Sequence, residues 1–337
     1  MNHIKFNLIP SGYKETDYRV LPKLTSSNIK SNIKSNKVVD LSQYCSPVKA
    51  QGNVGSCTGF ATIACMEYLM KKNNVNLKLL SERFTYYVTR VNVLKQDTTD
   101  TGASIRDALK SVIKFGSCLS STFPYTGDYQ MKPSLAIYKE ASKYNAVAYA
   151  RFDDITNVNM NMLNTTINTL KASLDAGVPI IGGFTCYNSI YNSVNGVIPL
   201  QEGKPIGGHA IFIVGYNDNT KLFKFKNSWG LSWGDKGYGY LPYDYYLKGD
   251  LFDLWSIYNQ NIDTLNIGLI VINPSINNII IQNYIQDIFS SINDVLLNSM
   301  DKKQIDILVQ PIIDKYKSNP KLFVFIKNMI TSLKSVL

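Results

Sequence analysis

The spacing of apolar residues changes its period along this chain, and that change restricts the fold more than any other feature. From Gly59 to Lys72, Phe60, Ala64 and Tyr68 recur at helical spacing, and Lys71 and Lys72 close the last turn. Ser104 to Phe115, with Ile105, Leu109 and Val112 on one face, predicts a second helix ended at Gly116, and a third is expected over about Val158 to Gly177. From Val178 the pattern is that of strands: Pro179 to Phe184, Ala210 to Tyr216 and Leu222 to Lys226, with Asn217-Asp218-Asn219 as the turn between the last two. Helices first and antiparallel strands afterwards is an α+β order.

At 337 residues with 45% apolar content, the chain can bury the core of one large domain or two smaller ones. Three segments are expected. Residues 1–37 carry seven Lys/Arg against two acids and end in the near-repeat SNIK-SNIK-SNK, which reads as a basic, flexible arm or linker. Residues 38–272 hold nearly all the Gly, Trp and Tyr and form the working domain. Residues 273–337 have no Gly or Trp and show three helical stripes, among them Ile281, Ile285, Ile288, Ile292 and Leu296, so a C-terminal helical extension is expected to pack on the main domain or to bind a partner.

The net charge of +10 allows loose attraction to acidic surfaces but indicates no specific nucleic-acid partner. No apolar run is long enough for a membrane span, and Ile267 to Ile272 suits a buried strand. Met1 to Pro10 has too short an apolar patch for a secretory signal, so an intracellular, cytoplasmic location is expected, with a virion as the alternative. Five cysteines without a CxxC pair indicate neither a disulfide scaffold nor a zinc site, and no metal or cofactor is expected.

Histidine supply limits the chemistry. There are two, and His3 lies in the basic arm, so any histidine catalysis rests on His209, which follows Gly207-Gly208 at the mouth of an apolar strand. A thiol becomes a good nucleophile when ionised, and a helix N-terminus and a neighbouring imidazolium both favour the thiolate. Cys57 stands at a helix start. Asn227, beside Trp229, offers an amide to hold the imidazole under a shielding indole, and the Gln51 side chain with the Cys57 backbone N–H could bind an oxyanion.

These motifs follow one another as PVKAQG (Pro47 to Gly52), Gly55-Ser56-Cys57, Gly208-His209-Ala210, Val214-Gly215-Tyr216 and NSWGLSWGDKGYGYLP (Asn227 to Pro242), with Leu80-Ser81-Glu82 and Phe123-Pro124-Tyr125 between them. In that order they resemble the papain-like cysteine peptidases, over roughly Val38 to Ile257. The stretches DTGASIRDALK (Asp100 to Lys110) and DLWSI (Asp253 to Ile257) are similar to the bacterial and viral-type branch. The resemblance implies a two-lobe fold, with a helical left lobe, an antiparallel, barrel-like right lobe and a cleft that holds a protein or peptide substrate in extended form.

It also implies Gly102 and Ala103 as a ledge for the substrate backbone, Trp233 on the leaving-group side and an endopeptidase mechanism through an acyl-enzyme. A catalytically silent scaffold and an acyl transferase are the alternatives. Departures from the family pattern are Thr58 in place of the usual Trp, and Val54, Val88 and the region from Asp97 to Thr101, which lack the cysteines usual there. Two common disulfides therefore cannot form, which fits a reducing compartment. The family's long propeptide helix pattern is absent, and any latency is expected to use the short arm, the C-terminal helices or another means.

Overall fold

A computed structural model describes residues 4–12, 14, 16–22, 37–153, 160–258 and 269–272. Most of the SNIK repeat and the three helical stripes after residue 273 lie outside the described residues. Four helices come first: α1 (Cys57–Lys72), α2 (Glu82–Val88), α3 (Ile105–Lys114) and α4 (Leu135–Ala141). A fifth, α5 (Met160–Asp175), follows. Ser81 and Ser104 start α2 and α3 by accepting hydrogen bonds from the backbone N–H of Phe84 and Asp107, which satisfies donors the helix itself leaves free.

Helix α1 is buried on every side from Cys57 to Tyr68. A helix with so few polar residues in its first three turns is stable only inside a core, and α1 fills the space between the other helices and the sheet. Cys65 is fully buried there, and Cys186 in the facing strand likewise, so both thiols pack as small hydrophobes. All five cysteines are free.

The strands are β1 (Arg19–Pro22), β2 (Val38–Asp40), β3 (Ala148–Arg151), β4 (Ile180–Tyr187), β5 (Pro205–Asn217), β6 (Leu222–Lys226), β7 (Tyr238–Pro242), β8 (Leu251–Tyr258) and β9 (Leu269–Ile272). They form one sheet in the order β7-β6-β5-β4-β8-β3-β1-β9, with β2 added to β5 beyond the end of β4. Every pairing is antiparallel except β1 with β3. Helices mostly in the first half and the longer strands of a mainly antiparallel sheet in the second make the fold α+β, as the change of period predicts.

The N-terminal arm departs from the expectation of a flexible linker. Arg19–Pro22 is a strand between β3 and β9, and residues 4–12 lie in extended form against the main domain. The basic composition concealed this because Arg19 is buried, with its guanidinium donating to Asp153 O at 2.9 Å. No helix among the described residues is long and apolar enough to cross a membrane.

Candidate active site

Cys57 is the first residue of α1 and is fully buried. Ser56, the residue before it, does not cap the helix; its hydroxyl meets the Tyr125 hydroxyl at 2.7 Å instead. The positive end of the helix is thus open at the thiol. The backbone N–H groups of Ala210, Thr58 and Cys57 itself favour the ionised sulfur. Ala210 follows His209 in β5, so the thiol lies against the histidine's own strand.

His209 is fully buried, opposite Phe184 in β4. Its Nε2 is 2.8 Å from Asn227 Oδ1, and the same oxygen accepts the Ser228 backbone N–H at 2.8 Å. The indole of Trp229 stacks on the imidazole, with centroids 4.6 Å apart and planes at 29°. Nδ1 makes no hydrogen bond, so the nitrogen that Asn227 leaves free is unengaged and no hydrogen bond joins it to the thiol. Trp233, expected on the leaving-group side, is buried and meets Trp229 edge-on at 4.9 Å.

Gln51 is held on both sides of its amide. Nε2 donates to Val54 O at 2.9 Å, and Oε1 accepts the Ser228 hydroxyl at 2.6 Å. One amide hydrogen remains for a further acceptor. Ser228 therefore links the Asn227 turn to Gln51, a role that its place within the NSWG string alone did not reveal.

Burial decides the charge state of the pair in this arrangement. It pushes the Cys57 thiol up to about 11 against the pull of the three backbone amides, and it pushes the His209 imidazole down to about 4 against the Asn227 hydrogen bond. Both groups are neutral near pH 7, where the sequence led to an expectation of thiolate and imidazolium.

The arm lies over this site beside Trp229 and Phe184. Phe6 sits edge-on to both His209 and Trp229, at 6.3 and 5.9 Å between centroids. Leu8 N–H donates to Gly208 O and Ile9 N–H to Ala103 O, each at 3.0 Å. Gly102 adopts φ +77°, and a side chain there would run into the Asn7 carbonyl oxygen. A segment of the protein's own chain, Asn7 to Ile9, therefore lies against Gly102 and Ala103 in this structure.

Asp100 is a site residue that sequence reasoning passed over, although it opens the DTGASIRDALK stretch. Its carboxylate accepts the Gly55 backbone N–H at 3.0 and 3.1 Å and the Tyr86 hydroxyl at 2.6 Å, and pairs with Lys5 at 2.7 Å. It braces the loop that leads into Cys57. No group of His, Cys, Asp and Glu among the described residues is arranged to hold a metal ion.

The papain family of cysteine proteases matches residues 35–247. An uncharacterized peptidase C1-like protein of Acanthamoeba polyphaga mimivirus is 34% identical over 229 residues, 66% of this chain and 72% of that protein. A senescence-specific cysteine protease of Oryza sativa is 30% identical over 197 residues, and the chain spans about half of its length, 52%. The crystal structure of xylellain, a cysteine protease from Xylella fastidiosa, superposes with a TM-score of 0.65 at 30% identity, covering 77% of this chain and 97% of that one. This chain belongs to the papain family of cysteine proteases, thiol peptidases of α+β fold.

Proposed function

We propose that the protein is an endopeptidase in which Cys57 is the nucleophile, His209 the proton carrier, Asn227 the residue that orients it and Gln51 an oxyanion donor. The observation that carries this reading is the division of labour on the imidazole: Nε2 is committed to Asn227 at 2.8 Å under Trp229, while Nδ1 is left free on a strand whose next residue, Ala210, favours the ionised Cys57 sulfur through its backbone N–H.

With the groove open, water reaches both groups and the desolvation that neutralises them falls away. The proton passes from Sγ to Nδ1, favoured by the helix N-terminus at the sulfur and by the attraction between the resulting charges. The thiolate attacks a peptide carbonyl carbon, and the carbonyl electron pair moves to an oxyanion met by the free Gln51 amide hydrogen and the Cys57 N–H. Collapse breaks the C–N bond, and His209 gives its proton to the leaving amine. Water, deprotonated by His209, then attacks the thioester, and the carboxylate leaves with Cys57 restored.

An extended peptide substrate would use the acceptors that the arm uses here, Ala103 O and Gly208 O, across the side-chain-free surface of Gly102. Trp233 acts on the leaving-group side through the Trp229 indole it supports. An epoxysuccinyl or vinyl-sulfone peptide probe tests the assignment. Labelling that is lost in Cys57→Ala and kept in Cys65→Ala is expected, and absence of labelling in folded, arm-displaced protein would favour a silent scaffold.

A further inference from the structure

The peptide group that joins Val54 to Gly55 is gripped at both ends. Its carbonyl oxygen accepts Gln51 Nε2 at 2.9 Å, and its N–H is shared between the two oxygens of the Asp100 carboxylate, at 3.0 and 3.1 Å. A peptide group is planar, so its N–H cannot turn without carrying its C=O along. Hydrogen bonds in a chain also polarise one another, and an N–H held by a carboxylate makes the oxygen of the same amide a better acceptor. Gln51 thus rests on an oxygen whose position and charge Asp100 governs.

The same carboxylate reaches the ledge. Tyr86 in α2 donates its hydroxyl proton to Asp100 Oδ1 at 2.6 Å, and the Tyr86 oxygen accepts the Gly102 N–H at 3.1 Å. The Tyr86 ring is buried, with the Arg90 guanidinium 4.2 Å from its centroid, so its hydroxyl is fixed in place. The Asp100 side chain is 4% exposed. A neutral acceptor would satisfy the Gly55 N–H at less desolvation cost, whereas a charged one grips it about twice as strongly. The two segments that Asp100 connects have no covalent link, since all five cysteines are free. Both Val54 and the region from Asp97 to Thr101 lack cysteines usual in the family, and hydrogen bonds to Asp100 make the connection instead.

We propose that Asp100 is a positioning residue for the oxyanion site: through the Val54–Gly55 peptide it aims the free Gln51 amide hydrogen, and through Tyr86 it keeps the Gly102 ledge in register with that hydrogen. The inference rests on the roles given to Gln51 and Gly102 above. Asp100 acts on no reacting atom directly. Its influence on turnover passes through Gln51 and its influence on peptide binding through Tyr86, so the two effects separate.

The test uses the full chain carrying Lys5→Ala and Leu8→Ser, which removes the Lys5 pair with Asp100 at 2.7 Å and the buried apolar side chain of the arm from every variant alike. Rates on a fluorogenic peptide are expressed per thiol titrated with an epoxysuccinyl peptide, and circular dichroism checks the fold. Gln51→Ala is expected to lower kcat on the order of 10²-fold, the cost of one oxyanion donor. Asp100→Ala should lower it at least about tenfold, and Asp100→Asn, which keeps one acceptor oxygen, by less. Added to Gln51→Ala, Asp100→Ala should cost no more than about a further twofold, because aiming has no effect once the aimed group is gone. Tyr86→Phe should raise KM more than it lowers kcat.

A second readout needs no turnover. Exchange of the Gln51 amide proton that Val54 O accepts, followed by NMR on protein with isotope-labelled glutamine, is expected to quicken at least about fivefold in Asp100→Asn and Asp100→Ala. An exchange rate unchanged in folded Asp100→Asn overturns the proposal, as does full additivity of Asp100→Ala with Gln51→Ala. A Gln51 proton that responds in protein that cleaves no peptide would count against the endopeptidase reading and leave the link from Asp100 to Gln51 standing.

Discussion

The Trp229 indole covers the His209 imidazole, centroids 4.6 Å apart, and so roofs the 2.8 Å bond from His209 Nε2 to Asn227 Oδ1. Inside that roof the bond is strengthened by low dielectric and fixes the ring with Nδ1 free.

Removing the bond should affect turnover more than binding. For Asn227→Ala, kcat is expected to fall on the order of 10²-fold, the scale of a misplaced general acid-base group, with KM changed little. Steady-state kinetics on a fluorogenic peptide, with the arm displaced, provides the check. An unaltered kcat would remove Asn227 from the mechanism.

His209 should also make the fold sensitive to acid. Burial holds its pKa near 4, below the ordinary 6.5. Because the unfolded chain binds the proton more readily, stability from neutral His209 is present above about pH 6.5 and is lost as pH falls through about 4, on the order of 3 kcal/mol in all. Asp253 acts in the opposite sense, since burial raises it to about 6, so its contribution is complete below the ordinary carboxylate range and lost as pH rises through 6. Urea unfolding of wild type and His209→Gln between pH 7 and 4 separates the two, and the difference between the curves should shrink toward acid.

Lys49 bridges two carboxylates beneath α1, Glu67 at 2.9 Å and Glu82 at 2.5 Å, whose side chains are 1% and 3% exposed. Lys49→Met leaves both buried without their cation and should destabilise the fold by about 3–5 kcal/mol. Pairing it with Glu82→Gln should recover part of the loss. Guanidinium midpoints measure both, and a loss of under about 1 kcal/mol would show that water reaches this cluster.

The Leu8 pocket should set side-chain preference. Gly183→Val fills the space that Leu8 Cδ2 occupies. It is expected to lower kcat/KM for peptides whose leucine occupies that space, relative to alanine, by about 10–200-fold. A peptide library profile unchanged by Gly183→Val would place substrate side chains elsewhere.

Much of the candidate site was legible in the residues because it depends on local chemistry. A cysteine at a helix start, the sole histidine outside the arm, and an amide next to a tryptophan each announce themselves within a few positions. The period change from α1 to β5 likewise foretold the α+β order, since amphipathic spacing is a local property. Arg19, Asp100 and Asp253 were not legible, because what each does depends on partners far along the chain: Asp153 for Arg19, Lys5 and Gly55 for Asp100, Ser11 for Asp253. The arm is the clearest case. Its composition is that of a solvated linker, and only the tertiary fold, by bringing Gly102, Gly183 and Gly208 together into a bare-backbone groove, supplies the surface that Leu8 fills. Charge state followed the same division. The sequence supplied the thiol and the imidazole, and burial, which no short window of residues encodes, set them neutral.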